Sequence, residues 1–397
     1  MSKLLLDYQQ NDLIFGGQPL KALECIKNYS RPVMIYDRKG LIQRLKMMTA
    51  WKRLNRLHFA MKANYNLEVL KTIQSLGCGL DVVSWGEVEL GFKAGFQPKD
   101  IIFSGVGKTK FELEQALQHQ IFQINVESIA ELERIDQICR KLNLQANIGL
   151  RVNPEVDAKT HPHIATALKD SKFGLNLKDL PACLDYFKKH PLLQFKAMSY
   201  HLGSQIMDQS SFAEALQKMR PLYEELQKNF PSLDRLDLGG GLGIDYREHD
   251  LTYDEQRWQL MTEVYEKGLQ GLNAEIYMEM GRFVVARFAI LVGQVQYIKK
   301  TESKKMIILD LGMNNLLRPS LYQAYHHVYA LEKSDQPSED FMIVGPICES
   351  SDVFHKSFNM PPVAQDQLVV FTDVGAYVQS MASDYNQQPK AIEVFLD

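Results

Sequence analysis

The sequence predicts an α/β fold, a (β/α)8 barrel, with a β-rich domain after it. Eight short runs rich in β-branched and aromatic residues alternate with helix-like stretches between residues 57 and 282. Such alternation indicates parallel strands joined by right-handed crossovers, and eight units in about 225 residues match a (β/α)8 barrel in number and size. From about residue 283 the pattern changes to strand-like runs separated by turn residues. An open, doubly wound sheet is the main structural alternative for the first part.

The stretches between the predicted strands have helical periodicity. One of them begins with Ser128 and Glu131, which have the spacing of a capping box. The eight strand-like runs cover residues 57–64, 79–84, 101–105, 121–126, 146–153, 195–203, 235–241 and 275–282.

The change of pattern predicts two domains. We expect a barrel domain over residues 37–282 and a β-rich domain, a sandwich or a barrel, over residues 283–397. The segment 1–36 also carries strand-like pieces, so we expect it to join the β-rich domain.

Composition narrows the class of protein. The 397 residues carry a net charge of −3, which gives no overall basic field for nucleic acid. No apolar run approaches the roughly 20 residues that span a bilayer, and the first residues lack the features of a signal peptide. The five cysteines are dispersed and form no CxxC motif, as is typical of a reducing compartment. We therefore expect a cytoplasmic protein that binds neither membrane nor nucleic acid.

Chemically capable residues follow several of the predicted strands. Barrel enzymes place their sites at the carboxyl ends of the strands and commonly bind phosphate after strands seven and eight. Gly239, Gly240 and Gly241 follow the seventh run, but they lack the third glycine of a dinucleotide fingerprint. The other polar residues at strand ends are Lys62, Asp81, His201, Glu279 and Arg282. Together they favour a phosphorylated aromatic aldehyde held by Lys62 as a Schiff base.

Each candidate also has an ordinary structural interpretation. A single lysine is usually a surface group, but Lys62 ends a run expected to be interior, where burial would lower its pKa and favour Schiff-base chemistry. Glu279 would either pair with Arg282 or hydrogen-bond a pyridine nitrogen. His201 would be a core histidine or would stack on a cofactor ring. A metal site is disfavoured, because the sequence has no HxxxH motif and no clustered carboxylates.

These motifs, taken in order, resemble those of the fold-type III pyridoxal 5′-phosphate-dependent decarboxylases. The resemblance covers nearly the whole chain. The motifs that carry it are FAMKAN, GLDVVSWGEVE, IIFSGVGKT, LRVNPEVDAKTHPHI with KFG, YHLGSQ, LDLGGGLG, EMGR, LGMNNLLRPSLY, GPICES and GAYVQSMASDYNQQP. Two positions depart from the family pattern: Met280 replaces the proline of EPGR, and Asp384 replaces the first asparagine of NYN.

The resemblance implies a role for each matching residue. Lys62 and Cys348 would be catalytic, with Lys62 linked to pyridoxal 5′-phosphate and Cys348 donating a proton. The cofactor would be bound by Lys62, Asp81, His201, Ser204, Gly239, Gly240, Gly241, Glu279, Gly281, Arg282 and Tyr377. The substrate would be bound by Arg282, Arg318, Tyr322, Glu349 and Tyr377. Cys348 and Glu349 would come from the other subunit, so the resemblance implies a homodimer with shared active sites.

The resemblance also implies an activity on a small amino acid. The reaction would be decarboxylation of meso-2,6-diaminopimelate to L-lysine and CO2, the last step of lysine biosynthesis. A related decarboxylase acting on ornithine or lysine, carboxynorspermidine or a carrier-linked glutamate is the alternative. A non-catalytic homologue that binds pyridoxal phosphate is a further one, although Lys62 and Cys348 are both present. An alanine racemase is less well supported, since its second base is a tyrosine with no visible equivalent.

Overall fold

The N-terminal part of the chain forms a small antiparallel sheet and then leads into the larger elements. The computed structural model describes residues 4–156 and 171–397. Part of the predicted motif LRVNPEVDAKTHPHI, residues 157–164, therefore lies outside the described residues. The first elements are β1 (Leu6–Gln9), β2 (Asp12–Phe15), β3 (Gln18–Pro19), α1 (Glu24–Lys27), β4 (Val33–Asp37) and α2 (Arg38–Thr49).

Eight parallel strands then form a closed barrel. They are β5 (Arg56–Ala60), β6 (Gly79–Val82), β7 (Ile101–Phe103), β8 (Gln123–Val126), β9 (Ala146–Arg151), β10 (Leu193–Ser199), β11 (Arg235–Asp237) and β12 (Glu275–Met280). Strand β12 closes the circle against β5 in a register that pairs Met280 with Phe59. All eight predicted strands overlap these strands. The predicted barrel is therefore confirmed, and the open sheet is excluded.

Helices connect the barrel strands, and a final short one follows the last strand. They are α3 (Leu67–Ser75), α4 (Trp85–Lys93), α5 (Lys110–Gln118), α6 (Ile129–Leu142), α7 (Leu180–Lys189), α8 (Ser210–Asn229), α9 (Leu251–Gly268) and α10 (Arg282–Val285). Every residue of β6, β7 and β8 is buried, as is typical of parallel strands covered by helices. No helix in the described part of the chain is both long and apolar enough to span a bilayer.

The start of α6 differs in one detail from the predicted capping box. The Ser128 hydroxyl accepts a hydrogen bond from the N–H of Glu131 at 3.2 Å, as predicted. The Glu131 carboxylate, however, accepts from the N–H of Glu127 at 2.9 Å and binds Lys108 Nζ at 2.7 Å. Because the buried Lys108 ammonium needs a counter-charge, Glu131 serves this lysine rather than the N–H of Ser128.

The C-terminal part of the chain is β-rich. Its elements are β13 (Ala289–Lys300), β14 (Lys305–Leu309), α11 (Arg318–Tyr322), β15 (Val328–Ala330), β16 (Glu339–Val344), β17 (Val353–Met360), β18 (Leu368–Phe371) and β19 (Ile392–Leu396). The sheet runs in the order β15-β18-β13-β14-β16-β17, and β4 joins it by pairing with β13 and β19. The β-rich part predicted from the sequence is therefore present.

The described residues divide into two compact units. One holds the described residues up to Gln43 with Ile244–Glu255 and Val284–Asp397, and the other holds the described parts of Arg44–Gly243 with Gln256–Phe283. In the first unit, a core forms from N-terminal and C-terminal strands: Leu6, Leu13, Phe15, Leu20, Ile26, Val33, Ile35, Ile290, Val292, Leu331, Val370 and Leu396. The domain boundaries predicted from the sequence stay a prediction.

Candidate active site

Lys62 lies at the carboxyl end of the first barrel strand. It sits in a short 3-10 turn, Met61–Ala63, directly after β5. Its Nζ lies 2.9 Å from Oδ2 of Asp81 in the neighbouring strand β6. The Asp81 side chain is 1% exposed, whereas that of Lys62 is 43% exposed. The sequence suggested a buried amine, but the strand ends before Lys62, so the paired amine is partly accessible.

The second residue of the candidate site is Glu279, which contributes a carboxyl group. It lies in β12, and its Oε1 accepts a hydrogen bond from Asn125 Nδ2 at 3.1 Å. Burial raises the pKa of Glu279 well above its usual range, and the nearby Asp237 and Asp81 carboxylates raise it further. Lys62 and Arg151 oppose this shift. Because the raised pKa favours the neutral carboxyl, a positive charge placed beside Glu279 would favour its ionised form.

The glycine run after β11 brings backbone segments into close contact. Gly239 and Gly241 have φ of +65° and +102°, which L-residues with a side chain rarely adopt. A Cβ atom on Gly240 would overlap the carbonyl oxygen of Glu279. Only glycine allows this close packing, and a turn of successive glycines is the kind of backbone that can approach an anion such as phosphate closely.

His201 contacts this glycine run after strand β10. The N–H of Gly240 donates to His201 Nδ1 at 3.2 Å. Burial, with Arg151 and Lys62 nearby, lowers the pKa of His201 well below its usual range. The imidazole is therefore neutral at physiological pH and has a flat, uncharged face.

Ser204, Gly281 and Arg282 form a further group on the same unit. Arg282 begins α10, directly after Gly281, and its Nη2 donates to the Ser204 hydroxyl at 3.2 Å. Met280, which stands where the family has proline, is buried and is the last residue of β12. The strand therefore continues without interruption up to the Gly281–Arg282 turn.

The remaining predicted residues lie on the β-rich unit. Arg318 begins α11, Tyr322 ends it, and Arg318 is buried. Cys348 is an exposed free thiol, and its backbone N–H donates to Asn386 Oδ1 at 2.8 Å. Glu349 accepts from the Tyr385 hydroxyl at 3.4 Å. Tyr377 has φ of +58°, a conformation that costs free energy in a residue other than glycine and often marks a functional position.

Three polar residues of the barrel were not predicted from the sequence. Asn125 holds Glu279, and Asp237 raises the pKa of Glu279. Glu127 binds Arg151 at 3.3 Å and accepts from the N–H groups of Gly105 and Gly174. The available signal was their position, since each lies at or just after the end of a β-rich run.

The barrel residues fit pyridoxal 5′-phosphate. The Asp81 Oδ1 atom is buried and has no hydrogen-bond partner among the described residues, and burial together with neighbouring carboxylates raises the pKa of Glu279. A cationic pyridine ring would place a positive charge beside Glu279, the neutral His201 imidazole has a flat face suited to such a ring, and a turn of successive glycines suits a phosphate. The direct contacts Lys62–Asp81, His201–Gly240 and Ser204–Arg282 lie within this one unit.

Residues 40–286 match the family model of the pyridoxal-dependent decarboxylases, over their pyridoxal binding domain. The fold and the barrel residues agree with this match. The chain therefore belongs to the pyridoxal-dependent decarboxylase family: it is an enzyme that uses pyridoxal 5′-phosphate to decarboxylate an amino acid.

Similar proteins with curated names point to one branch of this family. The chain is 40% identical to a diaminopimelate decarboxylase of Helicobacter pylori over 382 residues, covering 94% of this chain and 92% of that protein. It is 37% identical to the diaminopimelate decarboxylase of Aquifex aeolicus over 392 residues, covering 99% and 92%. The crystal structure of the Helicobacter pylori diaminopimelate decarboxylase with L-lysine superimposes with a TM-score of 0.88 at 38% identity, covering 94% of this chain and 93% of that one.

Proposed function

We propose that this protein decarboxylates meso-2,6-diaminopimelate to L-lysine and CO2, the last step of lysine biosynthesis. The observation that carries this proposal is the 40% identity to a diaminopimelate decarboxylase over 94% of the chain. The same motifs supply a cofactor site in the barrel and charged residues suited to a substrate with two amino and two carboxylate groups.

The barrel residues hold the cofactor. Lys62 would supply the amine for the cofactor aldehyde, and the Asp81 carboxylate 2.9 Å away would orient that amine. Glu279 would hold a proton at the ring nitrogen, and the neutral His201 would lie against the ring. The residues that would hold the phosphate are Gly239, Gly240, Gly241, Ser204, Gly281, Arg282 and Tyr377. When bound, pyridoxal 5′-phosphate supplies an electron sink for the electron pair left as CO2 departs.

Substrate recognition depends on the end of the substrate that does not react. Arg318, Tyr322 and Arg282 bind the carboxylate that L-lysine retains, because a guanidinium forms two parallel hydrogen bonds with a carboxylate. Glu349 binds the amino group next to that carboxylate, and Tyr377 completes the site. A substrate without the second carboxylate loses these contacts.

Protonation and assembly involve the β-rich unit. Cys348 delivers a proton from Sγ to the carbon that has lost CO2, because its thiol is exposed and its backbone is held by Asn386. We further propose a homodimer in which Cys348 and Glu349 serve the site of the partner subunit. The exposure of both residues supports this assembly.

We also propose the domain boundaries and the cellular compartment that are expected from the sequence. Residues 37–282 form the cofactor-binding domain, and residues 283–397 with 1–36 form the second domain. The cytoplasm is the expected compartment, and the five cysteines, all free thiols, are consistent with it.

The test is CO2 release by purified protein with pyridoxal 5′-phosphate, offered meso-diaminopimelate, L-ornithine and L-lysine separately. We expect release from meso-diaminopimelate alone. The Arg318→Lys variant is the matched comparison, since it keeps the positive charge but cannot bind the substrate carboxylate in a bidentate way. Release from ornithine or lysine, with none from meso-diaminopimelate, would replace the proposed substrate while leaving the family unchanged.

A further inference from the structure

The guanidinium of Arg318 is held by a histidine from the same unit. Arg318 is 4% exposed, and its Nη1 lies 2.8 Å from Nε2 of His326, eight residues further along the chain. Arginine has only hydrogen-bond donors and stays protonated. Nε2 must therefore be the acceptor, so His326 is neutral and carries its proton on Nδ1.

The hydrogen bond of the other ring nitrogen of His326 requires the same tautomer, with the proton on Nδ1. Nδ1 lies 2.8 Å from the carbonyl oxygen of Thr372, which can only accept. His326 is itself 1% exposed. Burial, with Arg318 beside it, lowers the pKa of His326 to about 3, so the neutral ring persists at physiological pH. The imidazole thus has one orientation and one tautomer.

Tyr246 restrains the guanidinium from another direction. The Arg318 Cζ atom lies 4.6 Å from the centre of the Tyr246 ring. The Tyr246 and His326 rings are 5.2 Å apart and meet edge to face at 71°. Arg318 is therefore fixed by a hydrogen bond within the plane of its guanidinium and by an aromatic ring beside it.

We propose that His326 is a positioning residue, whose Nε2 orients the Arg318 guanidinium for the carboxylate that the substrate keeps in the product. This inference rests on the proposed function, in which Arg318 binds that carboxylate. Bidentate binding requires the guanidinium and the carboxylate to be nearly coplanar. A neutral acceptor achieves this without neutralising the arginine, whereas a carboxylate in the same place would compete with the substrate.

The proposal is tested with two variants of His326. His326→Leu removes the acceptor at similar side-chain volume, and His326→Gln keeps an acceptor that can reach Arg318. The probes are L-lysine, which keeps the carboxylate, and cadaverine, which lacks it. Dissociation constants for both are measured by calorimetric titration of the holoenzyme, beside KM and kcat for meso-diaminopimelate.

We expect His326→Leu to weaken L-lysine binding and to raise KM by about 10- to 100-fold, the size of effect expected for a hydrogen bond to a charged group. Cadaverine binding and the cofactor absorbance should stay unchanged, and His326→Gln should recover most of the L-lysine affinity. His327→Leu is the matched control, because the neighbouring His327 ring is hydrogen-bonded to Tyr325 at 2.9 Å. It removes an imidazole from the same segment and should leave both dissociation constants as in the wild type.

The outcomes separate this inference from the proposed function. Equal weakening of L-lysine and cadaverine by His326→Leu, or a loss of thermal stability alone, would overturn the positioning role. Failure of the wild-type protein to release CO2 from meso-diaminopimelate would overturn the proposed substrate instead. The titrations need no turnover, so they test His326 separately from CO2 release. Equal binding of L-lysine and cadaverine by the wild type would overturn the positioning role together with the proposed role of Arg318.

Discussion

The Nζ of Lys62 lies 2.9 Å from Oδ2 of Asp81. Asp81 belongs to β6, and Lys62 follows the adjacent strand β5, whose last residue Ala60 pairs with Asp81. The carboxylate is buried and the amine is partly exposed. A buried carboxylate without a counter-charge is costly, so the pair stabilises Asp81 while leaving Lys62 accessible. An accessible, oriented amine is what covalent binding of an aldehyde requires.

The first prediction concerns this amine. Lys62→Ala should fold but lose the visible absorption band of the bound cofactor, because the variant lacks the amine that pairs with Asp81. The measurement is an absorbance spectrum after incubation with pyridoxal 5′-phosphate and removal of the excess. Lys71→Ala, which removes an exposed lysine paired with Glu68 on α3, should keep the band. Retention of the band by Lys62→Ala would contradict the assignment of Lys62.

The second prediction concerns the glycine turn. In Gly240→Ala the new methyl group would overlap the Glu279 carbonyl oxygen, so the turn must shift. Such overpacking costs about 1–3 kcal/mol, which corresponds to roughly 5- to 150-fold in cofactor affinity if the turn binds the phosphate. Gly107→Ala is the control, because a Cβ atom there meets nothing within 4 Å. Equal cofactor affinity in the two variants, measured by fluorescence titration, would argue against a phosphate site at Gly240.

The third prediction concerns the proposed proton donor. Cys348→Ala should bind the cofactor normally, because Cys348 is exposed and its backbone contact to Asn386 does not use the thiol. Loss of a general acid typically slows a reaction by about 100-fold or more, so kcat for CO2 release should fall by that amount. Cys25→Ala, which removes a partly exposed thiol, should leave kcat unchanged. Wild-type kcat in Cys348→Ala would remove Cys348 from the mechanism.

The fourth prediction concerns stability at acid pH. Burial, with His249 and His355 nearby, lowers the pKa of His327 from 6.5 to about 4. The folded protein keeps this ring neutral, whereas the unfolded chain binds a proton below pH 6.5. The contribution of His327 to stability is therefore complete above pH 6.5 and is lost as the pH falls towards 4.

The matched variant isolates this contribution from other titrating groups. Near pH 5, His327→Gln should take up about one proton fewer on unfolding than the wild type. The difference between their free energies of unfolding should then change by about 1.4 kcal/mol per pH unit. Denaturant titrations of both proteins between pH 5 and 7 measure this difference in the free energy of unfolding. Parallel pH profiles for the two proteins would show that His327 is not buried as a neutral ring.

The barrel could be predicted from the sequence because its signals are local. Runs such as IFQINV and the helical periodicity after Ser128 depend on neighbouring residues, and their alternation implies parallel strands. Lys62, the glycines 239 to 241 and Glu279 stood out because each lies at or just after the carboxyl end of a strand, and a barrel gathers its strand ends at one face. The predicted capping box at α6 was confirmed for Ser128, which accepts from the N–H of Glu131. It was wrong for the Glu131 carboxylate, which binds Lys108 instead of the N–H of Ser128.

The sequence by itself determined the eight strand–helix units, the β-rich part and the strand-end residues that we propose for the active site. Only the tertiary structure showed which polar groups form hydrogen bonds with these residues and with others such as His326. Asn125 reaches Glu279 across 154 positions, and the tautomer of His326 depends on Thr372, 46 positions away. Such pairings depend on barrel closure and sheet register, which arise from the packing of the whole chain, whereas the periodic signals arise from the local geometry of helices and strands.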